Sequence, residues 1–205
     1  MKEQKDLWCP ERECWAKGYE TVCGCDEAGA GPLAGPVYAA AVILPRELVI
    51  PGLDDSKKLT PKKRDELYDQ IITQAVDWGV AWVGPEEIDA TDILSARMNA
   101  MQRAIDKLRT APDLALLDGN RDHGKAGAVT TPHIMLVKGD SLSASIAAAS
   151  ILAKVSRDRY MEEAAAQYPQ YAFEKHKGYP TKLHYELLRQ YGPCPIHRRS
   201  FLKKL

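Results

Sequence analysis

Four acidic residues follow apolar stretches of the chain, where an unpaired charge is costly to bury. They are Asp26, Glu27, Asp118 and Asp140. In open α/β sheets, ligands gather beyond the carboxyl ends of the strands, so strands that finish in acids can bring them to one edge. We therefore predict that these carboxylates form a single site.

A ligand set made of carboxylate oxygens, with no Cys or His among its members, suits a hard divalent cation, Mg²⁺ or Mn²⁺. Two such ions, roughly 3.5–4 Å apart, would activate a water against a phosphodiester and stabilise the leaving oxygen. The alternative is that the acids are helix caps or turn residues, as Asp-Gly and Gly-Asp pairs often are. We favour that alternative for Asp118 or Asp140 taken alone, and the metal site for all four together.

Apolar patterning predicts strands that alternate with helices, and therefore an α/β domain with helices covering a central sheet. The predicted strands cover residues 21–25, 37–44, 76–83, 114–117 and 133–137, and the main predicted helices cover residues 61–75, 93–108, 143–166 and 182–190. Neighbouring residues of a strand point to opposite faces. Asp26 and Glu27 are thus expected to converge only if the first strand ends there and the turn at Gly29, Ala30 and Gly31 redirects the chain.

The composition describes a globular chain of 205 residues, 45% hydrophobic, with 28 Lys and Arg against 28 Asp and Glu. Its longest apolar runs, residues 37–44 and 146–153, are far shorter than the ~18 residues of a membrane-spanning helix. The N-terminus has charges of both signs and no apolar stretch after them, so we expect no secretory signal, a cytoplasmic location and no membrane partner. We also expect a monomer.

Cysteine usage indicates reduced thiols, because five cysteines is an odd number without paired CxxC spacing. A zinc site built from Cys9, Cys14, Cys23 and Cys25 is an alternative, but the gaps between these residues fit zinc ribbons poorly.

Positive charge is concentrated at the C-terminus, where residues 173–205 contain eight Lys and Arg but two acids. His176, His184 and His197 lie in the same segment. This composition is typical of a surface that meets phosphates. A solvated polar tail is an equally good interpretation of the charge alone.

Several motifs together resemble one known family. The longest, at residues 25–37, reads CDEAGAGPLAGPV. It is followed by DDSKKL at 54–59, LLDGN at 116–120, KGD at 138–140, SIAAASILAKVSRDR at 145–159 and PIHRRSF at 195–201. In content and order these motifs closely resemble the type 2 ribonucleases H, the bacterial ribonuclease HII group, and they extend over nearly the whole chain.

The resemblance implies a ribonuclease H-like fold, a five-stranded mixed sheet flanked by helices, in residues 1–172. It implies a basic helical C-terminal region, residues 173–205, that helps to clasp the duplex. The implied activity is an endonuclease that hydrolyses the RNA strand of RNA/DNA hybrids. It would also cut 5′ of ribonucleotides embedded in duplex DNA, leaving 3′-hydroxyl and 5′-phosphate ends, by two-metal-ion catalysis.

The resemblance also assigns roles to residues. The four acids become the catalytic metal ligands. Gly29, Ala30 and Gly31 match the family turn, which meets the 2′-hydroxyl largely through backbone groups. Tyr179, within KGYP, matches the tyrosine that packs on the sugar after the ribonucleotide. These roles make chemical sense, since the 2′-hydroxyl is what distinguishes RNA from DNA at a given sugar.

Cleavage of a polyanion beside four carboxylates needs compensating positive charge. Lys57 and Lys154 are predicted to contact phosphates, and the alternative is that they are ordinary solvated lysines. The family turn normally has arginine at its middle position, whereas this chain has Ala30, which can neither hold the turn nor reach a phosphate. We hypothesise that catalysis survives with weaker binding.

Two other functions are compatible with part of this pattern. One is a hybrid- or junction-binding protein whose turnover is impaired by Ala30. The other is a different nuclease or transposase on the same fold, which would need neither the glycine turn nor Tyr179. Asp92 is a second departure, since the family pattern has asparagine there. It would either repel phosphate or serve as the N-cap of the helix that begins at Ile93.

Overall fold

A computed structural model describes residues 6–53, 56 and 59–203 of the chain. Its centre is a five-stranded sheet with the order β3-β2-β1-β4-β5. The strands are β1 (Val22–Ala28), β2 (Val37–Ile43), β3 (Asp77–Val83), β4 (Leu114–Asp118) and β5 (His133–Leu136). The strand β2 runs antiparallel to β1 and β3, whereas β1, β4 and β5 are mutually parallel. The five-stranded mixed sheet that the family resemblance implied is therefore confirmed.

Seven α-helices are present in the described residues. They are α1 (Cys9–Ala16), α2 (Pro61–Gln74), α3 (Pro85–Ala90), α4 (Ile93–Asp106), α5 (Ala144–Gln167), α6 (Phe173–His176) and α7 (Lys182–Tyr191). Thr60 caps α2, and its hydroxyl accepts a hydrogen bond from the Lys63 amide, which confirms the predicted start of this helix. None of these helices combines the length and the apolar character needed to cross a bilayer.

The two faces of the sheet are covered by different helices. Cys23 and Cys25 of β1 belong to a core shared with Met98 and Met101 of α4. On the other face, β2 packs with α2 and α5. The Ala-rich start of α5 crosses β1 so closely that a Cβ on Gly24 would lie 2.2 Å from the Ile146 amide nitrogen. A strand position that only glycine can occupy thus sets the separation of helix and sheet.

The C-terminal region packs on the end of α5 and on the segment after β1. Leu33 and Met161 share a buried cluster with Phe173, Leu188 and Cys194. Residues from 173 onwards therefore share a core with the sheet-based part of the chain. All five cysteines are free, as predicted, and four of them are buried.

One expectation about the strands was wrong, and one N-terminal helix was missed. The first strand does not end before Asp26, because β1 continues through Ala28 with Asp26 opposite Ala40 of β2. The helix α1 was not predicted, since its sequence is short and mixes charges with few apolar residues. It is held by burial of Trp8 and by Glu11, which accepts a hydrogen bond from the Ser145 amide at the start of α5.

Candidate active site

Asp26 and Asp118 lie side by side on neighbouring parallel strands. Cys25 pairs with Leu117, so the next residue on each strand is one of the two acids. Cys25 and Leu117 both face α4, and alternation therefore places both acids on the face covered by α5. The predicted meeting of strand ends thus holds for this pair.

Asp26 is the most deeply placed of the acids, with 4% of its surface exposed. Its carboxylate accepts hydrogen bonds from the Glu27 amide, at 2.7 Å, and from the Ser150 hydroxyl. Burial, together with the nearby charges of Glu27 and Asp118, holds the pKa of Asp26 well above its ordinary value. Excess negative charge at this point is what a bound cation would offset.

The third strand end contributes Asp140. After β5 the chain turns at Lys138, which has a left-handed backbone with φ of 58°, and then enters a 3-10 helix at Gly139. The Gly139 amide donates to the Asp118 carboxylate at 2.6 Å. Asp140, the next residue, is 5% exposed. The loop after β5 is thus tied directly to the acid that ends β4.

Glu27 faces away from Asp26, because β1 continues through both residues. Its carboxylate forms an ion pair with Arg97 of α4, with Nε and Oε1 2.7 Å apart. The guanidinium also approaches the end of β4, since a Cβ on Gly119 would lie 3.7 Å from an Arg97 nitrogen. The Arg97 guanidinium therefore lies next to Glu27 and close to the end of β4.

The donor set has the chemistry of a hard-cation site, because it consists of carboxylate oxygens on three adjacent strand ends. In their present positions, however, the His, Cys, Asp and Glu side chains of the described residues form no group of three or more that could hold a metal ion. Glu27 is paired with Arg97, and Asp118 accepts from the Gly139 amide. The same finding leaves the alternative zinc site of four cysteines without support.

The glycine turn follows β1 directly. Gly29 has a φ of +94°, and a Cβ there would lie 2.0 Å from Nε of Arg157, so this position requires glycine. Gly31 is exposed, and a Cβ built on it would lie 3.9 Å from the Tyr179 ring. The structure thus brings the predicted turn and the predicted tyrosine together.

A buried arginine binds the carbonyl groups of this turn. Arg198 is fully buried and donates to the carbonyls of Gly29 at 2.7 Å, Ala30 at 3.0 Å and Gly35 at 2.9 Å. Burial lowers the pKa of Arg198 to about 9, which still leaves it charged at neutral pH. In a trans peptide the N–H points opposite to the C=O. The amides of Ala30 and Gly31 therefore point away from Arg198.

Arg157 of α5 holds the tyrosine side of the same surface. It is fully buried and donates to the Lys177 carbonyl at 3.0 Å and to the Pro36 carbonyl at 3.2 Å. Its guanidinium lies 5.7 Å from the centre of the Tyr179 ring. Two buried cations thus lie under the turn and the tyrosine, bound to backbone carbonyls.

The two predicted lysines have different outcomes. Lys57 lies outside the described residues. Lys154 lies on α5, where its ammonium donates to Asp158 at 2.6 Å and burial lowers its pKa. The phosphate contact predicted for Lys154 stays a prediction.

The C-terminal histidines do not form the phosphate-facing surface that composition suggested. His176, His184 and His197 have 7%, 0% and 2% of their surfaces exposed. Composition alone could not reveal this, because their burial depends on contacts with Phe173 and Tyr171. Sequence reasoning also missed the roles of Arg157 and Arg198. For Arg157, the available signal was its position on an otherwise apolar face of α5. For Arg198, it was its place in the motif PIHRRSF, which resembles the family.

Comparison with known proteins agrees with this architecture. Residues 23–204 match the ribonuclease HII family. Ribonuclease HII of Caldicellulosiruptor saccharolyticus is 51% identical over 195 residues, covering 95% of this chain and 93% of the relative. That of Endomicrobium trichonymphae is 54% identical over 191 residues, covering 93% and 90%.

Solved structures show the same fold. Ribonuclease H2 of Pyrococcus horikoshii OT3 superposes with a TM-score of 0.72 at 30% identity, over 88% of this chain and 93% of that one. Ribonuclease HII of Archaeoglobus fulgidus, solved in complex with PCNA, gives 0.71 at 27% identity, over 87% and 94%.

The sheet order, the acids at its edge and these superpositions define a nuclease of the ribonuclease H-like class. Within that class, the chain belongs to the ribonuclease HII family. It is therefore an endonuclease with ribonuclease H activity on RNA/DNA hybrids, and the fold predicted from the sequence is confirmed.

Proposed function

We propose that this enzyme cuts the phosphodiester bond 5′ of a ribonucleotide, both in RNA/DNA hybrids and at single ribonucleotides within duplex DNA. The products would carry 3′-hydroxyl and 5′-phosphate ends. The observation that carries the proposal is the meeting of Gly31 with the Tyr179 ring at the end of the strand that bears Asp26. Elements far apart in the chain form one surface beside the acids.

The turn supplies a means of recognising RNA without reading sequence. Arg198 binds the carbonyls of Gly29 and Ala30, so the following amides point away from it. A 2′-hydroxyl both donates and accepts hydrogen bonds, and backbone N–H groups are fixed donors for it. Tyr179 is exposed, with 41% of its surface accessible, and its ring offers a flat surface against which a sugar lacking that hydroxyl can pack.

Asp26, Glu27, Asp118 and Asp140 would hold Mg²⁺ or Mn²⁺. When bound, such ions lower the pKa of a water and stabilise charge that develops on phosphate oxygens. Because Glu27 lies on the opposite face of β1, it would have to exchange its ion pair with Arg97 for the cation and reach round the end of the strand. Asp26 and Asp118 already share a face of the sheet, and a bound cation would offset their mutual repulsion. Residues 173–205 would clasp the duplex through Tyr179 and the basic side chains at their surface. We propose a monomer, in the cytoplasm.

The test is cleavage of a labelled DNA duplex that carries one ribonucleotide, beside an all-DNA duplex and a long RNA/DNA hybrid. We expect one cut 5′ of the ribonucleotide, none in the all-DNA duplex, and loss of cleavage when a chelator removes divalent metal. Restoring Mg²⁺ or Mn²⁺ should restore the cut. Cleavage of all-DNA, or cleavage in chelator, would contradict the proposal.

Asp118→Asn is the matched catalytic control. It preserves size and the oxygen that accepts from the Gly139 amide, but removes the negative charge. We expect cleavage to fall by at least about a hundredfold, because the variant weakens the stabilisation of charge in the transition state. Duplex binding, measured by fluorescence anisotropy, should be unchanged or tighter. Unchanged turnover would refute the metal role of Asp118.

A further inference from the structure

Tyr179 has an exposed ring, whereas its backbone amide and carbonyl are both hydrogen-bonded within the protein. Its amide donates to the His176 carbonyl at 2.8 Å, and the preceding Gly178 carbonyl accepts from the Leu33 amide at 2.8 Å. The Tyr179 carbonyl accepts from the Thr181 amide at 2.8 Å. It also lies 3.0 Å from Nδ1 of His184. Such a residue is preorganised, since binding need not order its main chain.

The contacts of the histidines define which nitrogen carries each proton. The Cys194 amide donates to Nδ1 of His197 at 2.9 Å, so the proton of His197 is on Nε2. That N–H donates to Nε2 of His184, 3.0 Å away. Nε2 of His184 is therefore an acceptor, and its proton is on Nδ1. The remaining donor, Nδ1–H of His184, points to the Tyr179 carbonyl.

This chain of hydrogen bonds lies in an apolar, aromatic setting. The His184 ring stacks on His176, with centroids 4.3 Å apart, and meets Phe173 edge-on at 5.7 Å. His197 packs on Tyr171 at 5.0 Å, with the Cys194 thiol 3.1 Å from its Nδ1. Both His184 and His197 are fully enclosed, so they stay neutral and keep these tautomers.

We propose that His184 is a positioning residue for substrate recognition: its Nδ1–H fixes the Tyr179 backbone, and His197 fixes the tautomer of His184 that makes this possible. We call the hydrogen-bonded series from the Cys194 amide through His197 and His184 to the Tyr179 carbonyl the histidine relay. Both histidines are buried, so the relay acts without contacting the substrate. Its effect is exerted on the ring of Tyr179, which the relay holds beside Gly31. The inference rests on the proposed role of Tyr179 at the sugar.

Two amide substitutions separate the two nitrogens of His184. In His184→Asn, the amide nitrogen reaches the place of Nδ1 and can still donate to the Tyr179 carbonyl. In His184→Gln, the longer side chain places its amide near the former Nε2, so the contact with His197 survives and the donor to Tyr179 is lost. Both variants remove the same aromatic ring from the core.

The measurement is the Kd of a fluorescent DNA duplex with one ribonucleotide, in chelator so that it is not cut. We expect His184→Asn to bind within about twofold of the parent, and His184→Gln to bind about fivefold more weakly, the size of one lost hydrogen bond. Melting temperatures should be lowered similarly in both. Equal Kd values in the two variants would overturn the inference.

A double-mutant cycle with Tyr179→Ala distinguishes this inference from the proposal on which it rests. If Tyr179→Ala weakens binding and His184→Gln adds nothing in that background, His184 acts through Tyr179. Additive effects would overturn the positioning role, while leaving the role of Tyr179 intact. An unchanged Kd in Tyr179→Ala alone would instead refute the proposed function of the tyrosine, and with it the positioning role.

Should His184→Gln fail to fold, the relay can be tested at His197. His197→Gln retains a donor near the place of Nε2, whereas His197→Asn does not reach His184. We expect the glutamine variant to bind more tightly than the asparagine variant. The reverse order, or equal binding, would count against the relay.

Discussion

Ala30 occupies the middle of the turn whose carbonyls are bound by Arg198. Its methyl group ends at Cβ, so only the backbone of this residue can contribute to recognition. The turn does not depend on a long side chain for its conformation, because the arginine beneath already holds it. Alanine in place of arginine should therefore lower the affinity for substrate and leave the stability of the fold unchanged.

Ala30→Arg is expected to lower the KM for a duplex with one ribonucleotide about fivefold to tenfold with little change in kcat. The added guanidinium gains one phosphate contact, which also steepens the salt dependence of binding by about one counterion. Steady-state cleavage at several salt concentrations measures both effects. Ala30→Gln provides the uncharged control, and an equal gain in that variant would argue against a phosphate contact.

Residue types and apolar patterning selected acids at the strand ends, but they did not show what surrounds those acids. Asp26, Asp118 and Asp140 could be selected because each follows an apolar strand. The ion pair between Glu27 and Arg97 joins residues on different elements, and no local sequence pattern predicts it. The buried histidines were misassigned for the same reason, because burial is a property of the packed chain.

Among the elements, α4 shows how a departure from the family pattern is accommodated. Asp92 is its N-cap and accepts hydrogen bonds from the Leu94 and Ser95 amides. Its second oxygen accepts from the Ser95 hydroxyl and the Lys125 amide. These bonds lower the pKa of Asp92 to about 2, the hydroxyl of Ser95 contributing most. The acid is thus a structural cap, as one of the two sequence interpretations held.

Asp92→Asn should lower the free energy of unfolding by about 1 kcal/mol at pH 7. Asparagine still caps α4 through one oxygen, but its amide nitrogen cannot accept from the Lys125 amide. Urea unfolding measures the change, and cleavage per folded molecule should be unaffected. A large rise in activity would instead support repulsion between Asp92 and substrate phosphate.

The turn after β1 is an element held by a residue from the other end of the chain. Arg198→Lys keeps the charge but replaces a planar fork with a single ammonium, which cannot reach three carbonyls at once. We expect the Kd for an RNA-containing duplex to rise about tenfold and the melting temperature to fall. Arg199→Lys, at the exposed neighbouring position, is the matched control. Similar losses in both variants would contradict a special role for Arg198.

Element positions were largely predictable, since apolar periodicity and caps such as Thr60 are local signals. The extent of β1 was not, because it depends on pairing. Asp26 to Ala28 remain in the sheet through their partners on β2, which the sequence of β1 does not specify. The predicted strand end at Cys25 allowed Asp26 and Glu27 to converge, whereas the observed strand continues and places them on opposite faces.

At the scale of the whole molecule, the proposed site draws on residues from both ends of the chain, which share one core. Three of the acids lie on strands and Asp140 follows β5, the turn comes from the segment after β1, and Tyr179 and the histidines that support it come from residues beyond Phe173. A cluster containing Leu33, Met161 and Phe173 joins these parts. Loosening the C-terminal region should therefore disturb recognition as well as stability.

The buried histidines make the stability of the C-terminal core depend on pH. Burial lowers the pKa values of His184 and His197 to about 4, from an ordinary value of 6.5, and also lowers the pKa of His176. At pH values between about 4 and 6.5, these histidines bind protons in the unfolded chain but not in the folded chain. Stability is therefore complete above about pH 6.5 and falls as the pH decreases toward 4, by up to about 1.4 kcal/mol per pH unit for each histidine.

Urea unfolding between pH 4.5 and 7.5 should reveal this slope, and the double variant His184→Gln, His197→Gln should flatten it. Other titrating groups are shared by the two proteins, so the difference between their profiles isolates the histidines. If the profiles were parallel, the imidazoles would not be buried in their neutral forms. A flattened profile would instead establish that the C-terminal core, on which Tyr179 and Arg198 depend, is assembled around uncharged histidines.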